Sequence, residues 1–207
     1  MNIEFPKFDP EKSGEVADRI MTESNTKGIL IGRLAIWAWL SDDAGNQAYT
    51  KDMDIAVSKR DFPAILAYLA NKLYKTRQLP IGGVNVASKE EGVSIDFIHR
   101  GSEEWGDLSF LYEKAIEKGI ASSETVNIGN VRFSIVPVEF LIVMKIATME
   151  RKDEEDAKRL LNHIERIDID ELRSMVKRFL GPLINAKLEN MLREIGHPKA
   201  RKKYDLS

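Results

Sequence analysis

In the stretch YTKDMDIAVS, Tyr49 to Ser58, two acids flank Met53 at the head of an apolar run. A buried strand normally carries no charge at such a place. If MDIAV is a strand, alternation sends Asp52 and Asp54 to one face, with their alpha carbons about 6.5 to 7 Å apart, and Met53 and Ile55 to the other. Two carboxylates aimed at one space repel each other, and one tends to hold a proton unless a cation lies between them. Magnesium, or manganese in its place, reverses that penalty. It takes hard oxygen ligands in octahedral geometry, which two carboxylates, waters and substrate phosphates supply. Asp96, within GVSIDFIHR, offers a third acid, between Ile95 and Phe97, which must face a core. If its strand neighbours that of Asp54, all three acids share a face, and with two ions they form a clamp for in-line displacement at phosphorus. The bland alternative is polar trim on a strand. The same acid-x-acid pattern recurs in IDID at Asp168 and Asp170, where a helix N-terminus explains it.

The elements that must position these acids are legible in outline. GEVADRIMTESN reads as an amphipathic helix, and KGILIG as a buried strand ended by Gly32. RLAIWAWLSDD is apolar nearly all round, the pattern of a buried helix, and a polar loop, DDAGNQAYTK, leads to the MDIAV strand. DFPAILAYLANKLYK has helical spacing, with Pro63 in the first turn. GVNVAS and GVSIDFI, separated by KEEG, predict a hairpin. A helix around LSFLYEKAIEKG is expected to end at Gly119. TVNIGNVRFSI predicts a second hairpin, tight about Gly129 and Asn130. From Pro137 the periodicity is helical throughout, in four segments, and the chain ends on a basic tail, HPKARKKYDLS. The expected fold class is α+β: a mixed sheet of about five strands flanked by helices over 1–136, then a helical region over 137–207.

The 207 residues are 43% hydrophobic, enough for one good core or a core with a small helical appendage. Lys and Arg (31) nearly balance Asp and Glu (33), for a net charge of -2, so any phosphate binding must be local. The absence of cysteine removes disulfides, thiolate nucleophiles and zinc-thiolate sites. His99, His163 and His197 have no paired spacing for zinc. The start, MNIEFPKFDP, lacks a signal-peptide pattern, and VPVEFLIVMKIATM is too short to span a bilayer and broken by Glu139 and Lys145. These features together predict a cytoplasmic protein with no membrane segment.

In their order, these features resemble the nucleotidyltransferase fold superfamily, the DNA polymerase beta-like group. Within it the chain is similar to the small prokaryotic branch of minimal and abortive-infection toxin nucleotidyltransferases. Gly32 matches the glycine that opens the phosphate turn, Thr50, Asp52 and Asp54 match the T-x-D-x-D motif, and Asp96 matches the third acid. Downstream, Lys145 and the cluster Arg151, Lys152, Asp153 and Asp156 match a lysine-bearing helix followed by a basic-Lys-Asp run. The likeness covers roughly 28–161. It implies transfer of a nucleoside monophosphate from a nucleoside triphosphate to an acceptor hydroxyl on protein, RNA or a small molecule. Asp52, Asp54 and Asp96 would hold magnesium or manganese and do the catalysis, while Gly32, Arg33, Thr50 and Lys145 would bind nucleotide or phosphate. By family likeness alone, an antitoxin partner also belongs to the expectation. The chain departs from the family pattern where Arg33 follows Gly32 in place of a tiny residue, and where Ala48 stands at a position that relatives often fill with arginine.

Arg33 motivates an alternative: a catalytically inactive module of the same fold that binds a nucleotide or a protein partner. A sugar-nucleotide glycosyltransferase ranks behind both, because only 51 residues precede Asp52. Each other residue has a plain structural use as well. Lys145 could be a snorkelling surface lysine, and Arg151, Lys152 and Asp153 a solvated run at a helix start. Trp37 and Trp39 diverge by about 200 degrees on one helix, so both cannot face the core from one side; core packing is their first reading, and contact of one of them with the C-terminal block or a partner the second. Lys199, Arg201, Lys202 and Lys203 read first as a solubilising tail and second as an RNA contact.

Overall fold

The computed structural model describes residues 8–40, 50–101, 108–148 and 150–200. The chain forms two compact units, 1–35 with 46–137, and 36–45 with 138–207.

The first unit is built on a mixed five-stranded sheet. Its strands are β1 (Gly28–Leu30), β2 (Met53–Val57), β3 (Thr76–Leu79), β4 (Gly83–Ser88) and β5 (Val93–Ile98), in the order β1-β2-β5-β4-β3. Only the β2–β5 pair is parallel; β1–β2, β5–β4 and β4–β3 are antiparallel. Met53, Ile55, Val84, Val86, Ile95 and Phe97 alternate onto one face and are all buried. Each contributes roughly 1.5–3 kcal/mol through the apolar surface it removes from water. Helices α1 (Pro10–Glu23) and α4 (Ser109–Ala121) pack against the sheet, and α3 (Phe62–Asn71) packs against α1. A two-stranded hairpin, β6 (Thr125–Ile128) with β7 (Val131–Ser134), joins β1 through a parallel bridge between Leu30 and Ile135.

Several boundaries differ from expectation for local reasons. Helix α1 begins four residues early because Asp9 accepts from the N–H groups of Glu11 and Lys12, both at 3.1 Å, and Pro10 fits the first turn. Helix α3 stops at Asn71 and does not run on to Lys75. Leu73 turns left-handed (φ 56) and the chain re-enters the sheet as β3, an edge strand absent from the expected elements. Helix α4 continues past Gly119, which serves close packing: a Cβ there would lie 3.1 Å from the Ile135 carbonyl and from Ile29. In the β6–β7 turn Gly129 alone takes a positive φ (58), so Asn130 is not the second left-handed residue the sequence suggested.

The second unit contains α5 (Val138–Thr148), α6 (Arg151–His163), α7 (Ile169–Leu180) and α8 (Pro182–Glu194). Asp168 caps α7, accepting from the N–H groups of Asp170 and Glu171 at 3.0 Å, which is the expected explanation of the IDID triplet. Arg173 and Glu189 form a two-point ion pair inside this unit, at 2.6 and 3.1 Å, with both side chains buried. Arg173 also donates to the Lys199 carbonyl at 2.6 Å, so Lys199 is held by its backbone. The Arg166 guanidinium lies 4.9 Å from the centre of the Trp39 ring. Arg201, Lys202 and Lys203, like Ala48, lie outside the described residues.

Candidate active site

Four polar side chains form a row across the first unit's sheet. In the strand register Asp54 pairs with Asp96, Asp96 with Asn85, and Asn85 with Arg77. Register partners project from the same face, so the row runs over β2, β5, β4 and β3 opposite the apolar face. Met53 and Ile55 are fully buried while Asp54 is half-buried, the alternation that the MDIAV composition predicted. Asp52 precedes the strand by one residue and is half-buried. Thr50 is buried beside it, and its hydroxyl donates to the Asp52 carbonyl at 3.1 Å and stands 3.5 Å from the Asp52 carboxylate. That bond fixes the backbone entering β2.

Gly32 opens α2 (Gly32–Trp39) in left-handed geometry, with φ 66. The preceding Ile31 N–H donates to the Asp54 carbonyl at 3.0 Å, which ties the helix start to β2. A Cβ on Gly32 would stand 2.7 Å from the Asp54 carboxyl carbon and would collide with the Asp54 Oδ2 oxygen. Glycine is therefore needed twice here, for the backbone angle and for the approach. It brings the first turn of a helix, an end that favours anions, directly beside a carboxylate. Arg33 occupies that same turn, half-buried.

Asp96 sits where its surroundings act on its charge. Burial raises its carboxyl above the usual carboxylate range; the Asn85 hydrogen bond opposes this, the Asp52 charge adds to it, and Arg77 opposes it. Asn85 Nδ2 donates to Asp96 Oδ1 at 2.6 Å and to Ser94 Oγ at 3.3 Å, so one amide orients the acid. A carboxyl whose proton affinity is raised in a half-buried place suits the acceptance of a proton from a neighbouring hydroxyl.

Among the described residues no three His, Cys, Asp or Glu side chains are gathered as a ready-made cation cage. Magnesium does not require one, because it keeps waters and uses one or two carboxylates with substrate phosphates. Asp54 fits such a site on its donor chemistry and half-burial, with Asp52 two residues before it, and Asp96 lies alongside Asp54 across the strand pair.

Lys145 lies in the second unit. Its ammonium is 2.6 Å from Asp153 and 3.3 Å from Asp156; both carboxylates are buried and the lysine is half-buried. Thr148 donates to the second Asp153 oxygen at 2.7 Å. Arg151 and Lys152 are exposed, as a solvated run requires, but Asp153 is not part of that run. Asp153 lies in the first turn of α6, facing inward. Two members of the row, Asn85 and Arg77, were not singled out from the sequence. The KEEG turn could have identified Asn85, since residues 85 and 96 are equidistant from the turn, whereas Arg77 lies on the unrecognised strand.

Solved structures resemble the chain at low identity. An antigenic nucleotidyltransferase-like protein from Paracoccidioides brasiliensis aligns with a TM-score of 0.51 at 14% identity, over 90% of this chain and 88% of that one, and shares the fold. The antibiotic-resistance factor ANT(2'')-Ia aligns with a TM-score of 0.49 at 12% identity, over 92% and 97% of the two chains. JHP933 from Helicobacter pylori aligns with a TM-score of 0.40 at 16% identity, over 92% and 82%. No curated protein matches the chain in sequence. A family profile described as nucleotidyl transferase of unknown function (DUF2204) matches residues 43–195, most of the chain. The resemblance to nucleotidyltransferases is thereby borne out at the level of family and of α+β fold, and the chain belongs to this nucleotidyl transferase family.

Proposed function

We propose that the protein is a metal-dependent nucleotidyltransferase that moves a nucleoside monophosphate from a nucleoside triphosphate to an acceptor hydroxyl. The observation that carries this reading is the seating of Gly32, at the start of α2, on Asp54, with Asp96 as the cross-strand neighbour of Asp54. An anion-favouring helix terminus and acids suited to a cation are thus side by side, the combination a metal-bound triphosphate needs. In this reading the first-turn N–H groups of α2 and the Arg33 guanidinium bind the phosphates. Asp52 and Asp54 would hold a magnesium or manganese ion, which would supply counter-charge to the phosphate oxygens. Asp96, oriented by Asn85, takes the acceptor's proton as its oxygen bonds to the alpha phosphorus. The bond from that phosphorus to the bridging oxygen breaks, and pyrophosphate leaves with part of its charge met by Arg33 and the backbone N–H groups. Lys145, engaged by Asp153 and Asp156, is assigned a structural role.

The test is transfer of label from alpha-phosphate-labelled nucleoside triphosphates into acceptor fractions containing protein, RNA or small metabolites. Asp52→Asn and Asp54→Asn should each lower transfer by about 10²-fold or more, with circular dichroism unchanged. Full transfer by both variants sinks the reading. Nucleotide binding by the wild type without transfer to any fraction favours the inactive module.

A further inference from the structure

We propose that the open groove beyond Asp96, at the β3–β4 edge of the sheet, is the acceptor subsite, and that it takes a phosphate-bearing hydroxyl compound. The inference rests on the transferase reading above and deepens it. Helix α2 reaches Asp54 from the β1–β2 side of the row, so the space left for an acceptor lies the other way, past Asp96. There the row continues through Asn85, which bonds Asp96, to Arg77 on the edge strand, and both residues line a groove of about 710 Å³. Its charged lining is Lys72, Lys75, Arg77 and Lys89 against Glu90 and Glu91, four cations to two anions, in a chain whose net charge is -2.

The four cations are not equally committed. Lys72 is 3.5 Å from Glu23 and lies over the Tyr68 ring. Lys75 and Arg77 are exposed and, among the described residues, neither has a side-chain hydrogen bond or salt bridge. Arg77 acts electrostatically on Asp96, so a ligand that reaches one is within the field of the other. Leu73 lines the same groove in left-handed backbone, 89% exposed. A bulky residue there is disfavoured by about 1–2 kcal/mol, and the side chain is not in the core, whereas it does give the groove an apolar wall beside Tyr74. Local positive charge, an apolar wall and a neighbouring carboxyl match an acceptor whose phosphate is held by Lys75 and Arg77 while its hydroxyl faces Asp96. In the step itself the acceptor oxygen bonds to the alpha phosphorus, the bond from that phosphorus to the α–β bridging oxygen breaks so that pyrophosphate leaves, and the hydroxyl proton passes to Asp96; the acceptor's own phosphate is unchanged.

The test uses the full chain and two phosphate probes: a short fluorescein-labelled oligouridylate followed by anisotropy, and ribose 5-phosphate followed by calorimetry. At least one probe should bind the wild type, and Lys75→Glu with Arg77→Glu should weaken it by about tenfold or more. For the oligonucleotide, Lys75→Ala with Arg77→Ala should reduce the slope of log K against log salt by about 1.4. Oligouridylate binding alone assigns a nucleic acid as the source, and ribose 5-phosphate binding a small phosphosugar; either supports the proposal. No binding of either probe to the wild type, undiminished binding to the charge-reversed variant, or tighter binding of a polyglutamate peptide overturns it. A non-hydrolysable nucleoside triphosphate with magnesium, titrated into the wild type, separates the two claims. If it does not bind, the transferase reading fails whatever the groove does; if it binds and the phosphate probes do not, only the groove assignment fails.

Discussion

At the residue scale, the burial of Asp96 costs stability at neutral pH. Its carboxyl lies above the ordinary 3.8, chiefly because of burial, so between 3.8 and its folded value the folded protein holds more protons than the unfolded chain. Stability therefore falls as pH rises through that window and stays lower above it. Asp96→Asn removes the loss: thermal melts should place the variant at or above the wild type at neutral pH, with the gain vanishing below the window, while transfer is lost. A variant less stable than the wild type at neutral pH and equal to it in acid would reverse the sign. Gly32 makes a second residue-scale case. Gly32→Ala combines a left-handed alanine with a collision on Asp54, an expected loss of about 2–4 kcal/mol in urea unfolding. Gly181→Ala has only the backbone angles against it, φ 85 and ψ 175 with nothing within 4 Å, and should lose about 1–3 kcal/mol. A Gly32→Ala loss of about 1 kcal/mol or less would mean that the approach to Asp54 contributes nothing.

At the element scale, strands with two unlike faces were legible and an edge strand was not. MDIAV and GVSIDFI alternate because one face is core and the other holds Asp54 and Asp96, so composition alone marked them. TRQL is exposed along most of its length and sits at the sheet edge, so it buries no periodic set and reads as the tail of the helix before it. The charge run at α6 misled in the opposite way. Its spacing looks solvated, yet Asp153 and Asp156 point inward onto Lys145. Removing that lysine leaves two buried carboxylates without their cation, so Lys145→Met should lose about 3–5 kcal/mol of stability. Adding Asp153→Asn should restore part of it, because less charge is then left buried. If Lys145→Met unfolds at the wild-type urea midpoint, Lys145 is not serving those acids, and a phosphate contact becomes its better assignment.

At the scale of the whole molecule, the near-balanced charge leaves no global field to attract phosphates, so the proposed nucleotide site has to work through local groups. Ligand linkage tests this without knowledge of the acceptor. A nucleoside triphosphate with magnesium at a hundred times its Kd should raise unfolding free energy by about 2.7 kcal/mol, visible as a higher Tm, and Asp54→Asn or a chelator should erase the rise. An unchanged Tm at millimolar nucleotide would oppose the site. Among the described residues no helix is long and apolar enough to cross a membrane. By itself the sequence determined the element types apart from the edge strand β3, the alternation that sends Asp54 and Asp96 away from the core, and the motif order that pointed to the family, because these depend on neighbours within a few residues. Tertiary structure decided which strands adjoin, and therefore that Asp96 lies beside Asp54, that Asn85 orients it and that Arg77 extends the row to a basic groove. Strand order is set by contacts between segments tens of residues apart, and local periodicity carries no record of those contacts.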